Sequence, residues 1–238
     1  MSLPLALVGL GKMGSLIEQL APEYGFDLRA RFSRSNIDTL SAQSLRGATV
    51  AIEFSTPSAA PSNIRALASL GVSTVCGTTG WYEHLPQIRN DIVAAHTALL
   101  FAANFSIGVN LFLELVSRAG ELFAEHPEYE AWGWEIHHST KKDAPSGTLK
   151  KLEAELRAAG FTGPVTLSSN RAGTHFGTHE IGFDSPSDTI TLRHSAKNRE
   201  GYARGALQAA RWLAGKKGVF EFRDVLADLR GRKSAVGS

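Results

Sequence analysis

Leu3-Pro4-Leu5-Ala6-Leu7-Val8-Gly9-Leu10-Gly11-Lys12-Met13-Gly14-Ser15-Leu16-Ile17-Glu18-Gln19-Leu20 is the stretch that decides the fold. A short apolar run stops at a string of glycines and passes into a segment with helical spacing, giving strand, glycine turn and helix. In that setting G-x-G-x-x-G marks a dinucleotide-binding fold, because glycines allow a tight turn and let backbone N–H groups approach a pyrophosphate. Gly9, Leu10, Gly11, Lys12, Met13 and Gly14 are therefore candidate cofactor residues. An ordinary glycine-rich turn would carry the same letters; the position directly behind a strand favours the cofactor reading.

Outward from this unit the chain alternates as repeated β-α pairs, the pattern of a doubly wound parallel sheet. Strands are expected over 26–32, 48–54, 72–76 and 97–102, with helices over 58–70 and 84–95. Almost no connecting structure is visible between Phe32 and Ala48. Open parallel sheets bind ligands beyond their strand ends, so 53–56, Gly77 with Thr78 and Thr79 up to Gly80, and Ala102, Ala103, Asn104 and Phe105 are expected to rim the cofactor crevice. At the end of the second strand an NAD site usually carries an acid for the ribose 2′-hydroxyl. Here that position holds Ser33 with Arg34 beside it, which suits a 2′-phosphate and favours NADPH over NADH.

Beyond residue 107 the pattern changes. Val109, Phe112, Leu113, Val116, Ala119 and Phe123 form a stripe that predicts a long helix over 108–123. Strand patterns follow at 129–136, 165–169, 178–183 and 189–194 without alternating helices, which predicts a second α+β domain on a mixed or antiparallel sheet. A helix over 201–213 returns to the first domain, and Phe220 to Leu226 closes the chain. The expected division is 1–106 plus 206–238 for the dinucleotide-binding domain and 107–205 for the substrate domain. Lys233 to Ser238 is expected to fray.

Composition narrows the function classes. With 43% hydrophobic and 20% charged residues over 238 positions, the chain has the make-up of a globular protein, and a formal charge of +2 is too small to predict nucleic-acid binding. Cys76 is the sole cysteine, which rules out an intrachain disulfide or a cysteine zinc cluster and predicts a buried strand-end thiol. No signal-peptide pattern is present and Leu3 to Val8 is too short to span a bilayer, so neither membrane nor export is expected and the reading is cytoplasmic.

The chemistry is concentrated in Glu135-Ile136-His137-His138-Ser139-Thr140-Lys141-Lys142-Asp143-Ala144-Pro145-Ser146-Gly147-Thr148. Ser146 or Thr148 can cap a helix beginning there, with Gly160 as its stop, and a helix start is a natural place for a carboxylate. On a strand His137 and His138 face opposite ways, so one can transfer a proton while the other shapes the pocket. His137 and Lys141 would lie about 13 Å apart in an extended chain, so acting together requires a curl after Ser139. Satisfied core or surface histidines beside a solvated lysine pair would be the unremarkable alternative. Glu135, His137, His138, His175, His179 and His194 form no recognisable ligand spacing, and no metal is expected.

Taken together, Gly9-x-Gly11-x-Met13-Gly14, Gly77-Thr78-Thr79-Gly80, Ala102 to Val109, the 135–148 run, Arg171-x-Gly173, Gly177-x-His179, His194, Arg199, Gly205-Ala206 and Asp224-Val225-Leu226 resemble the 4-hydroxy-tetrahydrodipicolinate reductases, also called dihydrodipicolinate reductases, of diaminopimelate and lysine synthesis. The similarity runs through nearly the whole chain. It implies hydride donation from NADPH or NADH to C4 of a cyclic dicarboxylate with loss of water. It also implies His137 and Lys141 as catalytic proton carriers, with His138, Ser146, Gly147 and Thr148 as substrate contacts and Arg199 on a substrate carboxylate. Gly9 to Gly14, Ser33, Arg34, Gly77 to Thr79 and Ala102 to Phe105 match the cofactor segments, and a homotetramer paired through the substrate-domain sheets is implied.

Two departures, a glycine fingerprint one residue shorter than the common G-x-x-G-x-M-G and Ser33 in place of an acid, bear on cofactor grip rather than proton chemistry. Another two-domain dehydrogenase of small amino acids, of the aspartate dehydrogenase kind, and a non-catalytic NADP(H)-responsive binding module are the competing readings. The second of these leaves the histidine–lysine cluster unexplained.

Overall fold

The structure is a computed structural model that describes residues 2–234. In chain order its elements are β1 (Leu3–Val8), α1 (Lys12–Leu20), β2 (Phe26–Phe32), α2 (Ala42–Leu45), β3 (Val50–Glu53), α3 (Ala60–Ser69), β4 (Ser73–Cys76), α4 (Leu85–Ala94), β5 (Ala98–Phe101), α5 (Ile107–Phe123), β6 (Glu130–His137), α6 (Gly147–Ala158), β7 (Val165–Arg171), β8 (Thr178–Asp184), β9 (Thr189–Ser195), α7 (Glu200–Leu213), β10 (Gly218–Glu221) and α8 (Phe222–Ser234). They form two compact units: the chain up to Ile107 together with the chain from Glu200 onward, and Gly108–Arg199.

The first unit is a six-stranded, all-parallel sheet in the order β10-β5-β4-β3-β1-β2. Every residue of β3 and β4 is buried, as strands covered on both faces must be, and this is why neither alternates apolar with polar residues. Successive residues of β1 go to opposite sides. Leu5 and Leu7 join Ile17, Leu20, Ala206, Leu207 and Leu213 from α1 and α7. Ala6 and Val8 join Leu45 and Leu67 on the other face. The chain runs from β1 outward to β2 and then returns across β1 to β3, so the order reverses between β1 and β3, where such sheets open a crevice.

Three features differ from the sequence expectations. The return to the first unit begins at Glu200 rather than at residue 206, because α7 is one rigid element whose Ala203 and Gly205 are already buried in that unit's core. Gly218–Glu221, for which no element was expected, is the sixth strand of this sheet, and α8 follows it. The four residues of the strand are half-buried at a sheet edge and carry too short a pattern to be read. Between Phe32 and Ala48 the link holds a short 3-10 turn, Ile37–Thr39, and α2, which is started by a reciprocal Ser41–Ser44 capping box. Of the tail expected to fray, 235–238 lies outside the described residues, and the backbone up to Ser234 is helical.

The second unit is a four-stranded mixed sheet ordered β7-β6-β8-β9, parallel between β6 and β7 and antiparallel elsewhere. One face packs Ala131, Ile181 and Phe183 against Val109, Phe112, Leu113 and Val116 of α5 and Leu149, Leu152 and Leu156 of α6. The strict alternation of β6 sends Ala131, Gly133, Glu135 and His137 to this face and leaves Trp132, Trp134 and Ile136 half-buried on the other.

Candidate functional site

In the first unit the glycine turn closes β1 onto α1. Gly9 has φ +93°, and a Cβ there would lie 2.0 Å from the Phe54 carbonyl oxygen; a Cβ on Gly14 would lie 2.0 Å from the Gly9 carbonyl oxygen. Neither position can take a side chain without moving backbone. Gly11 differs, since a Cβ there would meet nothing within 4 Å. Gly11 is also the N-cap of α1 and supplies no side-chain cap, so no side chain at this position competes with an anion for the first-turn N–H groups. Leu10 and Lys12 are exposed and Met13 leans into the core.

Beside this turn lies a cavity of about 380 Å³ lined by Gly9, Ser33, Arg34, Ser55, Thr56 and Asn63, among others. It opens at the β1/β3 reversal. The Ser33 N–H donates to Asn36 Oδ1 at 2.6 Å, which fixes the loop after β2. Arg31 is tied to Glu18 at 2.7 Å, whereas Arg34 is exposed on the cavity wall. Glu53, on the expected rim, turns inward instead, fully buried, where it accepts from Ser55 Oγ and, at 3.2 Å, from Cys76 Sγ. Burial, with the Glu53 charge added, pushes the Cys76 thiol well above its usual range and leaves it inert. Thr78 is buried and its Oγ1 accepts from Ser55 N–H at 2.8 Å, while Gly77 and Thr79 remain partly or fully open. Phe105 is buried against Phe222 with ring centroids 5.2 Å apart, so only its backbone is left to meet a ligand; Ala102, Ala103 and Asn104 stay open beside it.

In the second unit the register of the sheet makes the site. Glu135 pairs with Ser169 of β7 and His179 of β8, and His179 with His194 of β9. A polar row, Ser169–Glu135–His179–His194, thus crosses the inner face where the apolar rows end. In the next row His137 pairs with Arg171. Glu135 is fully buried. Its Oε1 accepts from the Ser146 N–H at 2.8 Å, Ser169 Oγ at 2.9 Å and Arg171 Nη2 at 2.9 Å. Burial alone would raise this carboxyl, but the donors from Ser146, Arg171 and Ser169 outweigh it and hold it at about 2. Oε2 has no hydrogen-bond partner among the described residues. It faces His137 Nδ1 at 3.6 Å and His179 Nε2 at 3.4 Å.

The curl required of the chain after Ser139 is present. Ser139 N–H donates to the Gly173 carbonyl at 3.2 Å and Lys141 N–H to the His138 carbonyl at 3.1 Å. The loop therefore folds back, Lys141 pairs with Asp143 at 2.6 Å, and Arg171 donates to the Asp143 carbonyl. Burial pushes His137 below the ordinary histidine value; the Glu135 charge opposes this, Lys141 and Arg171 reinforce it, and Asp143 opposes them. Ser146 is the cap of α6, its Oγ accepting from Leu149 N–H at 3.2 Å and lying 3.2 Å from His179 Nε2. Gly147 is exposed and Thr148 half-buried in the first turn, so that helix end is open to an anion. His138 is half-buried, with its Nδ1 2.7 Å from Thr140 Oγ1. Arg199 lies over the Phe176 ring at 5.6 Å. Next to Phe176, Gly177 has φ +135°, and a Cβ there would come 2.9 Å from His137 Nε2.

Glu135, His137 and His179 each bring one potential ligand atom to within 4.8 Å of the others, a grouping that spacing in the sequence did not reveal. Antiparallel pairing, not proximity in sequence, assembles it. The Arg171 guanidinium lies 2.9 Å from the Glu135 carboxylate and compensates its charge within the sheet. Glu135 and His137 share a face by parity, which the sequence does reveal; the contributions of Arg171 and His179 need the register.

The family descriptions "Dihydrodipicolinate reductase, N-terminus" and "Dihydrodipicolinate reductase, C-terminus" match residues 3–105 and 108–226. A 4-hydroxy-tetrahydrodipicolinate reductase of Christiangramia forsetii is 33% identical over 94% of this chain and 98% of its own length. One of Gluconobacter oxydans is 37% identical over 91% and 93%. Among solved structures, a dipicolinate-bound dihydrodipicolinate reductase from Paenisporosarcina sp. TG-14 shares the fold with a TM-score of 0.74 and 22% identity, over 93% of this chain and 98% of that one. With both halves of the family matched and relatives aligned end to end, the chain belongs to the dihydrodipicolinate reductase family.

Proposed function

We propose that the chain reduces 4-hydroxy-tetrahydrodipicolinate to tetrahydrodipicolinate in diaminopimelate and lysine synthesis, with NADPH as the preferred donor and His137 and Lys141 as the proton carriers. Family membership supports the reaction, and the observation that carries the residue roles is the folded-back loop that joins His137, Lys141 and the open start of α6. In the net reaction a hydride replaces a hydroxide, which leaves as water after taking up a proton.

The reduced nicotinamide supplies the hydride when bound. The glycine turn and the cavity beside it fit a dinucleotide, since Gly11 leaves space where a pyrophosphate approaches and the cavity walls offer hydroxyls. Arg34, with no acid beside it at the end of β2, suits a 2′-phosphate and disfavours the bare ribose grip typical of NAD. For the dicarboxylate, the N–H groups of Gly147 and Thr148 and the α6 dipole hold one carboxylate, assisted by His138 and Ser146, and Arg199 takes the other. Lys141 gives fixed positive charge and a proton beside the reacting carbon, while His137 exchanges protons from its protected position.

Trp132, Trp134 and Ile136, half-buried on the outer face of the second sheet, support pairing of substrate-domain sheets in a homotetramer. No helix among the described residues is long and apolar enough to cross a membrane. We assign the protein to the cytoplasm, where reduced nicotinamide is supplied. The test is steady-state oxidation of NADPH and, in parallel, NADH on the condensation product of aspartate semialdehyde and pyruvate. Turnover is expected with both, with higher kcat/KM for NADPH, and His137→Ala and Lys141→Ala are expected to lose most of kcat. Wild-type turnover in both variants would remove the proposed proton carriers.

A further inference from the structure

We propose that Glu135 is the positioning residue of the proton site: its Oε2 holds the Nδ1–H of His137, so that the Nε2 lone pair, turned toward Gly177, is the atom that exchanges a proton with substrate. This deepens the assignment of His137 made above and rests on it. Four observations carry it.

The two oxygens of Glu135 have different surroundings. Oε1 accepts from Ser146 N–H, Ser169 Oγ and Arg171 Nη2, all within 2.9 Å, whereas Oε2 is buried with no donor at hydrogen-bonding geometry. His137 Nδ1 is also buried and unpartnered, and it lies 3.6 Å from that oxygen. Two buried orphans that face each other are satisfied together only if the nitrogen carries the hydrogen; a lone pair there would oppose the carboxylate in a site closed to water. At 3.6 Å the contact is longer than a hydrogen bond, and contacts of this kind tighten when substrate closes a site.

A neutral imidazole has one N–H, so a proton on Nδ1 leaves Nε2 as the basic atom. Residue 177 has no side chain at the point where a Cβ would sit 2.9 Å from Nε2 and 3.1 Å from Cδ2, so no side chain from that position covers this edge of the ring. His179 fits the same scheme. Burial first, then the neighbouring His137, lower it to about 4, so its ring is neutral, and an Nε2–H directed at Glu135 Oε2 and Ser146 Oγ leaves only a lone pair unpartnered on Nδ1. The charged and titratable groups facing His137 are Glu135 on its own strand, Lys141 and Asp143 on the loop, Arg171 on β7 and His179 on β8, with His194 behind His179 on β9. Of these, Glu135 and Asp143 favour its protonation and Lys141 and Arg171 oppose it.

Glu135→Gln tests the arrangement sharply. Three donors converge on Oε1, so the glutamine carbonyl must occupy that position and its NH2 must replace Oε2. That NH2 donates into His137 Nδ1 and drives the ring proton to Nε2, the wrong tautomer for exchange. Nitrogen-15 NMR of the full-length protein labelled at histidine is expected to show His137 protonated on Nδ1 in the wild type and on Nε2 in Glu135→Gln. The variant is expected to lose about 10²–10⁴-fold in kcat, the range for a misplaced general acid–base, with KM changed less than about threefold. Loss of the carboxylate charge moves the His137 limb of the kcat/KM pH profile to lower pH, a displacement that a purely structural role would not produce. Glu135→Asp, which keeps the charge, is expected to retain the wild-type tautomer.

A wild-type His137 protonated on Nε2 would overturn the proposal without any variant, and so would Glu135→Gln with unchanged kcat and pH profile. If instead His137→Ala turns over normally, the assignment of His137 itself fails, and this inference with it. An inactive His137→Ala beside an Nε2-protonated wild type would sink the positioning role alone.

Discussion

Gly177→Ala is expected to damage catalysis more than stability, and the structure gives both magnitudes. The added Cβ would stand 2.9 Å from His137 Nε2 where ordinary contacts begin at 3.4 Å, so the ring must yield by about 0.5 Å. A misplacement of about 1 Å in a reacting group can cost about 100-fold, so half that displacement corresponds to roughly tenfold in kcat. The backbone adds its own penalty: at φ +135° an alanine is strained by about 1–3 kcal/mol. In a chain of this length about 2 kcal/mol lowers Tm by about 4–8 °C. The control is Gly71→Ala, where φ is +77° and a Cβ would meet nothing within 4 Å; it is expected to lower Tm with no loss of kcat. Thermal unfolding by circular dichroism and steady-state NADPH oxidation on the condensation product read the two effects separately. A Gly177→Ala enzyme with wild-type kcat and a lowered Tm would refute the reasoning, because it would mean that the Nε2 edge of His137 can shift without consequence.

Further expectations concern the cofactor and acid. Gly11→Val should leave Tm nearly unchanged, since a Cβ meets nothing there, yet weaken dinucleotide binding about tenfold or more in a fluorescence titration; unchanged affinity would exclude the turn as the pyrophosphate seat. Arg34→Ala should raise KM for NADPH several-fold and leave KM for NADH unaltered, and equal effects on both would dissociate Arg34 from a 2′-phosphate. The fold holds His179 at about 4, below its ordinary 6.5. The unfolded chain therefore binds this proton first as pH falls, and stability drops between those values by at most about 3 kcal/mol. Thermal midpoints across that interval should decline, less so in His179→Gln, and equal slopes in the two proteins would show that this imidazole is not the acid-sensitive group.

Much of the first unit was legible because its signals are local. The β1–turn–α1 sequence carries its own geometry, and strands covered on both faces announce themselves as apolar runs. Gly218–Glu221 escaped because a short edge strand with half-buried residues has no periodicity to read. The change at Glu200 was placed late because the rigidity of a helix, not its composition, determines where a unit begins. In the second unit the sequence exposed the opposite facing of His137 and His138 and the need for a curl before Lys141. It could not expose Arg171 or His179 as members of the same cluster, because each arrives through strand pairing across the sheet. For the same reason the carboxylate–imidazole grouping had no recognisable spacing.

The row Ser169–Glu135–His179–His194 ties the proton chemistry to the bookkeeping of β8. Ile181 and Phe183 must face the core, so the strand tolerates no slip by a single position. Such a slip would rotate His179 to the outer surface and bring Thr178 or Glu180 opposite Glu135. A chain misaligned in this way would be greasy outside and chemically mute at once. The hydrophobic alternation that guards against misfolding thus also acts as the alignment jig for the imidazole, and mutations that loosen the core of this sheet should blunt activity before they unfold the protein.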